Sequence, residues 1–180
     1  MNLPNRLTLI RVFLIPVFVV LLLLYEKHAG FNYAAAAIFI IASLTDLADG
    51  KIARKYNLVT NFGKFMDPLA DKLLVVSALI CLCYLRMIPV YVVLIITARE
   101  FIISGFRLVA AEKGVVLAAS YIAKVKTTMQ MIMIVSLILD FPWTPFKILS
   151  QILIYVSLIL TIVSLCDYLY KNRGLLKGEM

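Results

Sequence analysis

The sequence predicts an all-α integral membrane protein, and three observations lead to that fold class. The 180-residue chain is 63% hydrophobic and only 16% charged, with a mean hydropathy of +1.00. Soluble domains carry about 45–50% apolar and about 25% charged residues, so a water-soluble globule is excluded. Six apolar segments recur along the chain. We therefore predict six transmembrane helices in one domain over residues 1–180, with a short N-terminal interfacial segment.

The six segments are separated by short polar or turn-forming stretches. Gly30, Pro89 and Gly114 lie in three of these breaks. The segments cover approximately residues 9–25, 33–53, 69–86, 88–111, 121–140 and 146–170. The 3 cysteines lie inside apolar segments at no metal or redox spacing, and we interpret them as packing residues.

The basic residues are distributed unevenly between the two sides of the predicted membrane. With six spans both termini share one side, which holds 15 of the 18 lysines and arginines. The other side holds only Lys27, Arg86 and Lys147. Because cytoplasmic loops are enriched in Lys and Arg, the termini are predicted to be cytoplasmic. The net charge of +8 is interpreted as contact with anionic lipid, and no nucleic-acid partner is expected.

Four aspartates lie at helical spacings near the cytoplasmic ends of the second and third segments. In the second segment, two acids and two small residues share one face at positions i, i+3, i+4 and i+7: Asp46, Asp49, Gly50 and Ala53. The third segment opens with an i, i+4 pair, Asp67 and Asp71. A loop of about a dozen residues containing Gly63 lets the two helices pack antiparallel, which brings the four acids together.

Such an acidic cluster predicts a divalent cation site. Uncompensated carboxylates at the end of membrane helices are costly and need a partner. An ion-paired rim with Lys51, Arg54 and Lys64 is one alternative, but four acids on converging faces favour a bound cation. Oxygen ligands without His or Cys nearby indicate Mg²⁺ or Mn²⁺ rather than zinc. Carboxylates with a hard cation suit phosphoryl transfer.

Eight residues at fixed separations form one pattern, Asp46-x2-Asp49-Gly50-x2-Ala53-Arg54-x8-Gly63-x3-Asp67-x3-Asp71. This pattern resembles the signature of the CDP-alcohol phosphotransferase family at every fixed position. The resemblance implies a six-helix membrane enzyme that displaces CMP from a CDP-linked donor by attack of an alcohol hydroxyl. It also implies two divalent ions, Mg²⁺ or Mn²⁺, held by the aspartates.

The resemblance further implies a role for each residue. Metal ligands would be the four aspartates, Asp46, Asp49, Asp67 and Asp71. Asp71 would also accept the proton of the attacking hydroxyl, although spacing alone leaves open which acid is the base. The residues implied to bind the CDP donor are Asn5, Thr8, Gly50, Ala53, Arg54, Thr60 and Gly63. Asn5 and Thr8 fit a helix cap or the membrane interface equally well, and both interpretations stay open.

Basic residues cluster a second time in the fourth and fifth segments. An ionisable residue midway along a span, such as Arg99, is a functional candidate. We interpret four cations as a pocket for a phosphate on the acceptor: Arg99, Arg107, Lys124 and Lys126. The alternative is a set of counter-charges for the aspartates, and Glu100 is placed to hold Arg99.

This second region resembles the phosphatidylglycerophosphate synthase branch of the family. The resemblance lies in Ala98-Arg99-Glu100, in Arg107-Leu-Val-Ala-Ala-Glu112-Lys113 and in Ser120-x3-Lys124-x-Lys126-Thr127-x2-Gln130. It implies transfer of the phosphatidyl group of CDP-diacylglycerol to sn-glycerol 3-phosphate, in a homodimer surrounded by membrane lipids. It also implies a bacterial-type, multi-pass plasma-membrane protein with its active site on the cytoplasmic side.

Two alternatives to this function remain. The same chemistry is compatible with another acceptor, namely inositol phosphate, phosphatidylglycerol or serine. A divalent-cation transporter could instead use the four acids as its binding site. A transporter predicts polar residues across the whole bilayer, whereas the outer half of the predicted spans is nearly pure Leu, Ile and Val.

Overall fold

The computed structural model describes the backbone of residues 3–25, 30–55, 61–112, 114–115 and 120–173. Side chains are described in these ranges except at residues 3–4, 46–55, 61–62 and 64–65. Every regular element in this part of the chain is an α-helix, so the all-α prediction is confirmed. The helices are α1 (Leu3–Leu24), α2 (Phe31–Lys55), α3 (Asn61–Tyr84), α4 (Val90–Glu112), α5 (Tyr121–Leu139) and α6 (Thr144–Lys171).

Two helices, α1 and α3, begin more than one turn earlier than the apolar pattern predicts. Helix α1 starts at Leu3 and continues into the first apolar segment, so residues 3–8 are part of that helix rather than a separate interfacial segment. Pro4 is tolerated there because the first N–H groups of a helix have no partner within it. Helix α3 starts at Asn61. Gly63, predicted to lie in a loop, and Asp67, predicted to open the third segment, therefore both lie inside the helix. The residues between α2 and α3, 56–60, lie outside the described ranges.

Three helices in the described part are long and apolar enough to cross a membrane. They cover Asn5–Leu24, Tyr121–Leu139 and Thr144–Lys171. Helices α3 and α4 carry at least three charged residues in any 18-residue stretch, and the described apolar part of α2 is the shorter Phe31–Thr45. The other three predicted spans are therefore not confirmed: charged residues reduce the apolar character of α3 and α4, and the described side chains of the apolar part of α2 end at Thr45.

The helices form two compact units by their contacts, and the single domain over residues 1–180 stays a prediction. Unit 1 contains Met1–Met87 and Val135–Asp140. Within it, α1 packs against α2 and α3. Phe18 and Phe39 are buried at the α1–α2 contact with their ring centroids 5.7 Å apart. Ala35 on α2 is also completely buried, and its small side chain permits close packing.

Two hydrogen bonds join the α1–α2 connection to the end of α5 within unit 1. The Tyr25 hydroxyl donates to a carboxylate oxygen of Asp140 over 2.7 Å, and Asn32 Nδ2 donates to the carbonyl of Leu139 over 2.9 Å. The bond to the Asp140 carboxylate stabilises the neutral phenol and raises the pKa of Tyr25 to about 12. Gly30 enters α2 with a φ of 106°, a conformation that favours glycine.

Unit 2 contains Ile88–Ile134 and Phe141–Met180, and α4 packs against α6 in it. The buried residues of α6 recur at alternating steps of four and three: Ser150, Ile154, Ser157, Thr161, Ser164 and Tyr168. Most carry small side chains, which let the α4 backbone approach. Arg99 contacts Ser164, and Phe106 meets Tyr168 edge-on at 6.3 Å. Because these contacts follow the same chain order, α4 and α6 run parallel.

Large apolar side chains cover much of the outer surface of both units. Phe13, Leu94 and Ile159 are 73%, 63% and 60% exposed. Soluble monomers rarely expose so much contiguous apolar surface, whereas lipid tails solvate it favourably. The exposed surface therefore agrees with the membrane environment that the composition predicts.

Candidate active site

One face of α1 carries polar residues into the interior of unit 1. Asn5, Thr8 and Arg11 follow one another at steps of three and are 8%, 0% and 1% exposed. Residues at this spacing lie on neighbouring positions of a helix surface. In a mostly apolar helix, a buried polar side chain is costly unless it has a partner. The burial of all three indicates a polar site next to this face, rather than a set of interfacial residues.

The partner of Thr8 is one of the predicted metal ligands. Its hydroxyl donates to Oδ1 of Asp67 over 2.6 Å, although the two residues are 59 positions apart. A threonine hydroxyl has one proton, so this bond leaves none for a phosphate oxygen of a donor. The predicted role of Thr8 in donor binding is not tested by this contact. What the contact does establish is that the N-terminal part of α1 lies beside Asp67.

Asp67 and Asp71 lie one turn apart on α3 and are both half-buried. Residues at i and i+4 have Cβ atoms roughly 5–6 Å apart, so the two carboxylates are neighbours. Gly63 precedes Asp67 by the same step and is buried on this side of the helix. Two adjacent carboxylates repel each other when both are charged, and a divalent cation relieves that repulsion. The oxygen-only pair fits Mg²⁺ or Mn²⁺.

The other half of the predicted acidic cluster belongs to α2. The backbone of α2 is helical through Lys55, so the spacing from Asp46 to Arg54 falls on one continuous helix as predicted. The side chains of five predicted site residues there lie outside the described ones: Asp46, Asp49, Gly50, Ala53 and Arg54. Thr60 lies outside the described backbone as well. Among the described side chains, no three carboxylates, histidines or cysteines form a metal-binding group.

Unit 2 contains a second buried polar cluster, centred on Arg99. The Arg99 side chain is 6% exposed, and its Nη1 donates to Oε1 of Glu100 over 3.1 Å. Its Nη2 donates to the hydroxyl of Ser164 on α6 over 2.6 Å. This contact supports the interpretation that Glu100 holds Arg99. A guanidinium buried at this depth needs such partners, since an unpaired charge there is expensive.

Lys126 on α5 joins the same cluster. Its side chain is 1% exposed, and its Nζ forms an ion pair with the Glu100 oxygen that Arg99 contacts. One carboxylate thus contacts two cations from two helices. Arg107 and Lys124, the other two predicted phosphate ligands, are exposed. The structure therefore divides the four predicted cations into a buried pair with a shared counter-ion and an exposed pair.

Ser164 is a residue that the sequence analysis missed. It lies in a segment that was interpreted only as an apolar span, and it is fully buried. The α6 pattern held a usable signal, because hydroxyl residues recur there at the spacing of one helix face. A polar stripe in an apolar helix must face protein rather than lipid, and its members must find partners or remain buried at a cost.

The amino-acid sequence that forms both units is similar to known protein sequences. The family description "CDP-alcohol phosphatidyltransferase" matches residues 1–163, which include all of the predicted site residues. The chain belongs to the CDP-alcohol phosphatidyltransferase family. Ser164 is the first residue beyond the matched region.

Relatives of nearly the same length resemble the chain throughout. A Bacillus subtilis (strain 168) protein is 44% identical, and the match covers 98% of this chain and 97% of the relative. A Rickettsia typhi protein is 41% identical over 93% of this chain and 94% of its own. A Sodalis glossinidius protein is 40% identical over 96% of both. All three are named CDP-diacylglycerol–glycerol-3-phosphate 3-phosphatidyltransferase.

Proposed function

We propose that this protein transfers the phosphatidyl group of CDP-diacylglycerol to sn-glycerol 3-phosphate and releases CMP. The observation that carries the proposal is the match, at 40–44% identity and nearly full length, to relatives named for that reaction. The two polar clusters supply the kinds of group it needs. Carboxylates on α3 suit a metal, and cations on α4 and α5 suit an acceptor phosphate.

The metal site of this proposal consists of Asp46, Asp49, Asp67 and Asp71. Their carboxylates would hold Mg²⁺ or Mn²⁺, and two ions would balance the charge of four acids. Bound there, the cations would neutralise the charge that develops on the phosphate oxygens of the donor. Thr8 would fix the orientation of the Asp67 carboxylate, because its hydroxyl occupies Oδ1.

Asp71 is the proposed proton acceptor. The acceptor hydroxyl oxygen forms a bond to the phosphorus that carries diacylglycerol, and the bond between that phosphorus and the CMP oxygen breaks. The hydroxyl proton passes to the Asp71 carboxylate, and CMP leaves with the electron pair of the broken bond. General-base assistance of this kind contributes typically 10²–10⁴-fold to a rate.

The donor and acceptor contacts are proposed from the same family pattern. The CDP group would lie against the α1 face and the small residues of α2 and α3, using Asn5, Thr8, Gly50, Ala53, Arg54, Thr60 and Gly63. If Thr8 keeps its bond to Asp67, its oxygen is left to accept a hydrogen bond from the nucleotide. The acceptor phosphate would be held by Arg99, Arg107, Lys124 and Lys126.

An acceptor screen tests the proposed function directly. The purified protein is mixed with CDP-diacylglycerol and Mg²⁺, and CMP release is measured with glycerol 3-phosphate, inositol phosphate, serine or phosphatidylglycerol. Glycerol 3-phosphate is expected to give the fastest release, with phosphatidylglycerophosphate as the lipid product. Faster release with another acceptor would assign the enzyme to that acceptor.

The proposed orientation places both termini and the active site in the cytoplasm. It is supported by the concentration of 15 of the 18 basic residues on one side of the predicted topology. Single cysteines at Arg86 and Lys147 are expected to react with an impermeant reagent on intact cells, while one at Lys177 is protected. The reverse pattern would invert the topology.

The proposed homodimer is tested by the mass of the purified protein in detergent.

A further inference from the structure

We infer that Glu100 and Ser164 are positioning residues that hold Arg99 and Lys126 for the phosphate of the acceptor. The inference rests on the proposed function, since it concerns how the proposed phosphate ligands are held. Neither residue is expected to contact the reacting atoms. Both would act through the two buried cations.

The charge of the cluster is the first argument. Arg99 and Lys126 carry two positive charges at 6% and 1% side-chain exposure, and Glu100 supplies one negative charge at 22% exposure. The carboxylate offsets part of the repulsion between the cations, so both can be buried before a substrate arrives. These three groups together carry a net charge of +1, which favours an anion beside them. Its most exposed member is Glu100, so solvent reaches the cluster on the carboxylate side.

An unused donor is the second argument. The Arg99 Nε–H is buried and has no hydrogen-bond partner within the described part of the chain. The guanidinium is planar, so bonds from Nη1 to Glu100 and from Nη2 to Ser164 determine the direction of the remaining Nε–H. A buried donor without an acceptor is costly, and an anionic oxygen would satisfy it. Glu100 and Ser164 thus orient the Arg99 Nε–H group, which has no hydrogen-bond partner within the described part of the chain.

Ser164 permits a sharply matched experiment. Ser157 lies seven residues earlier on the same buried stripe of α6 and is also 0% exposed. Its hydroxyl has no hydrogen-bond partner among the described residues, whereas that of Ser164 accepts from Arg99. Ser164→Ala and Ser157→Ala therefore remove the same atom from two equally buried positions, and only the first removes a bond to Arg99.

The expected result is a selective change in KM. Ser164→Ala should raise the KM for glycerol 3-phosphate about tenfold, the lower end of what is expected for one hydrogen bond to a charged group. Ser157→Ala should leave that KM within about twofold of wild type. The kcat and the KM for CDP-diacylglycerol should change less than about twofold in both variants, because the proposed function assigns Arg99 to the acceptor rather than to the donor.

Glu100 is tested with a charge-matched control. Glu100→Gln should raise the KM for glycerol 3-phosphate by about tenfold or more, because two buried cations lose their shared anion. Glu100→Asp, which keeps the charge, should recover part of that loss. Lys171→Gln breaks an exposed ion pair with Asp167 on α6 and should leave both KM values unchanged.

The outcomes separate the inference from the proposed function. Equal KM values for glycerol 3-phosphate in Ser164→Ala and Ser157→Ala would overturn the inference, even if Glu100→Gln fails to fold. A proportional rise in the KM for both substrates would also overturn it, since that indicates a general structural loss. If the wild-type enzyme releases no CMP with glycerol 3-phosphate, the proposed function fails first and the inference falls with it.

Discussion

Unit 1 and unit 2 each hold a carboxylate by hydrogen bonds, but the two carboxylates have different kinds of partner. Asp67 accepts a bond from the neutral hydroxyl of Thr8, whereas Glu100 lies between the cations Arg99 and Lys126. A neutral donor orients a carboxylate without cancelling its charge. Two cations around one carboxylate leave a net positive charge. The two units therefore differ in the charge around a hydrogen-bonded carboxylate, and the proposed function assigns cations to the first unit and an anion to the second.

Metal removal should have the largest effect, and it tests the acidic side of this comparison. Exhaustive chelation is expected to abolish CMP release, because the proposed reaction needs divalent cations to neutralise the charge on the phosphate oxygens of the donor. Added Mg²⁺ or Mn²⁺ should restore activity. Full turnover in the presence of chelator would show that Asp67 and Asp71 do not serve a metal.

Asp71→Asn should have the next largest effect on turnover. The amide cannot accept the hydroxyl proton, so kcat is expected to fall by more than about 10²-fold. Asp140→Asn is the control, since Asp140 is a carboxylate of unit 1 that bonds Tyr25 outside the acidic site. Near-normal turnover of Asp71→Asn would move the proton acceptor to another residue.

Substitutions among the cations test the basic side of the comparison. Lys126→Ala and Arg107→Ala should both raise the KM for glycerol 3-phosphate and spare that for CDP-diacylglycerol. Lys126 is buried beside Glu100, so its removal should have the larger effect, about tenfold or more, against about fivefold for the exposed Arg107. If the donor KM rises instead, these cations bind the CDP pyrophosphate.

The Thr8 hydroxyl offers a smaller and more specific test. Thr8→Val keeps the shape of the side chain but removes the bond to Asp67, and it should weaken Mn²⁺ binding about tenfold. Thr8→Ser keeps the hydroxyl and should bind Mn²⁺ almost as wild type does. Binding is measured on the purified protein by electron paramagnetic resonance, without turnover. Equal affinities in the two variants would refute an orienting role for Thr8.

The Tyr25–Asp140 bond should give the smallest effect, because it repeats the hydroxyl-to-carboxylate bond outside the acidic site. The pKa of Tyr25 is raised to about 12, above its ordinary value near 10. A raised folded-state pKa stabilises the fold below pH 10, and that contribution is lost as the pH rises through about 12. The Tm of wild type should therefore exceed that of Tyr25→Phe at pH 8, and the difference should shrink towards pH 12. A Tm difference that stays constant with pH would instead be attributed to the packing of the Tyr25 side chain.

Much of the architecture could be predicted because it depends on local composition. Apolar segments of helical length predict helices in lipid, and the described part of the chain is helical as expected. The start of α3 differs from the prediction because glycine is typical of loops and Gly63 was assigned to one, whereas the helix runs through Gly63 and Pro68. Pro68 is tolerated near the polar end of that helix. Local propensity there is weaker than the packing of α3 against α1.

The spacing of Asp67 and Asp71 could also be predicted, because one turn of helix sets it. Arg99 could likewise be predicted as a functional candidate, because it is a charged residue in an apolar segment. Its partner Ser164 could not be inferred from sequence, since 65 residues separate the two. The bond from Thr8 to Asp67 spans 59 residues in the same way. Sequence periodicity describes one helix at a time, so contacts between helices lie beyond it.

The amino-acid sequence by itself determined the membrane class, the helical character and the family pattern of aspartates. Those properties follow from composition and from spacings within single helices, where the backbone geometry is constant. Only the tertiary structure decided that Thr8 bonds Asp67, and that one Glu100 carboxylate joins Arg99 to Lys126. Buried polar groups must find partners wherever packing brings them, and packing depends on the whole set of apolar faces rather than on any one segment.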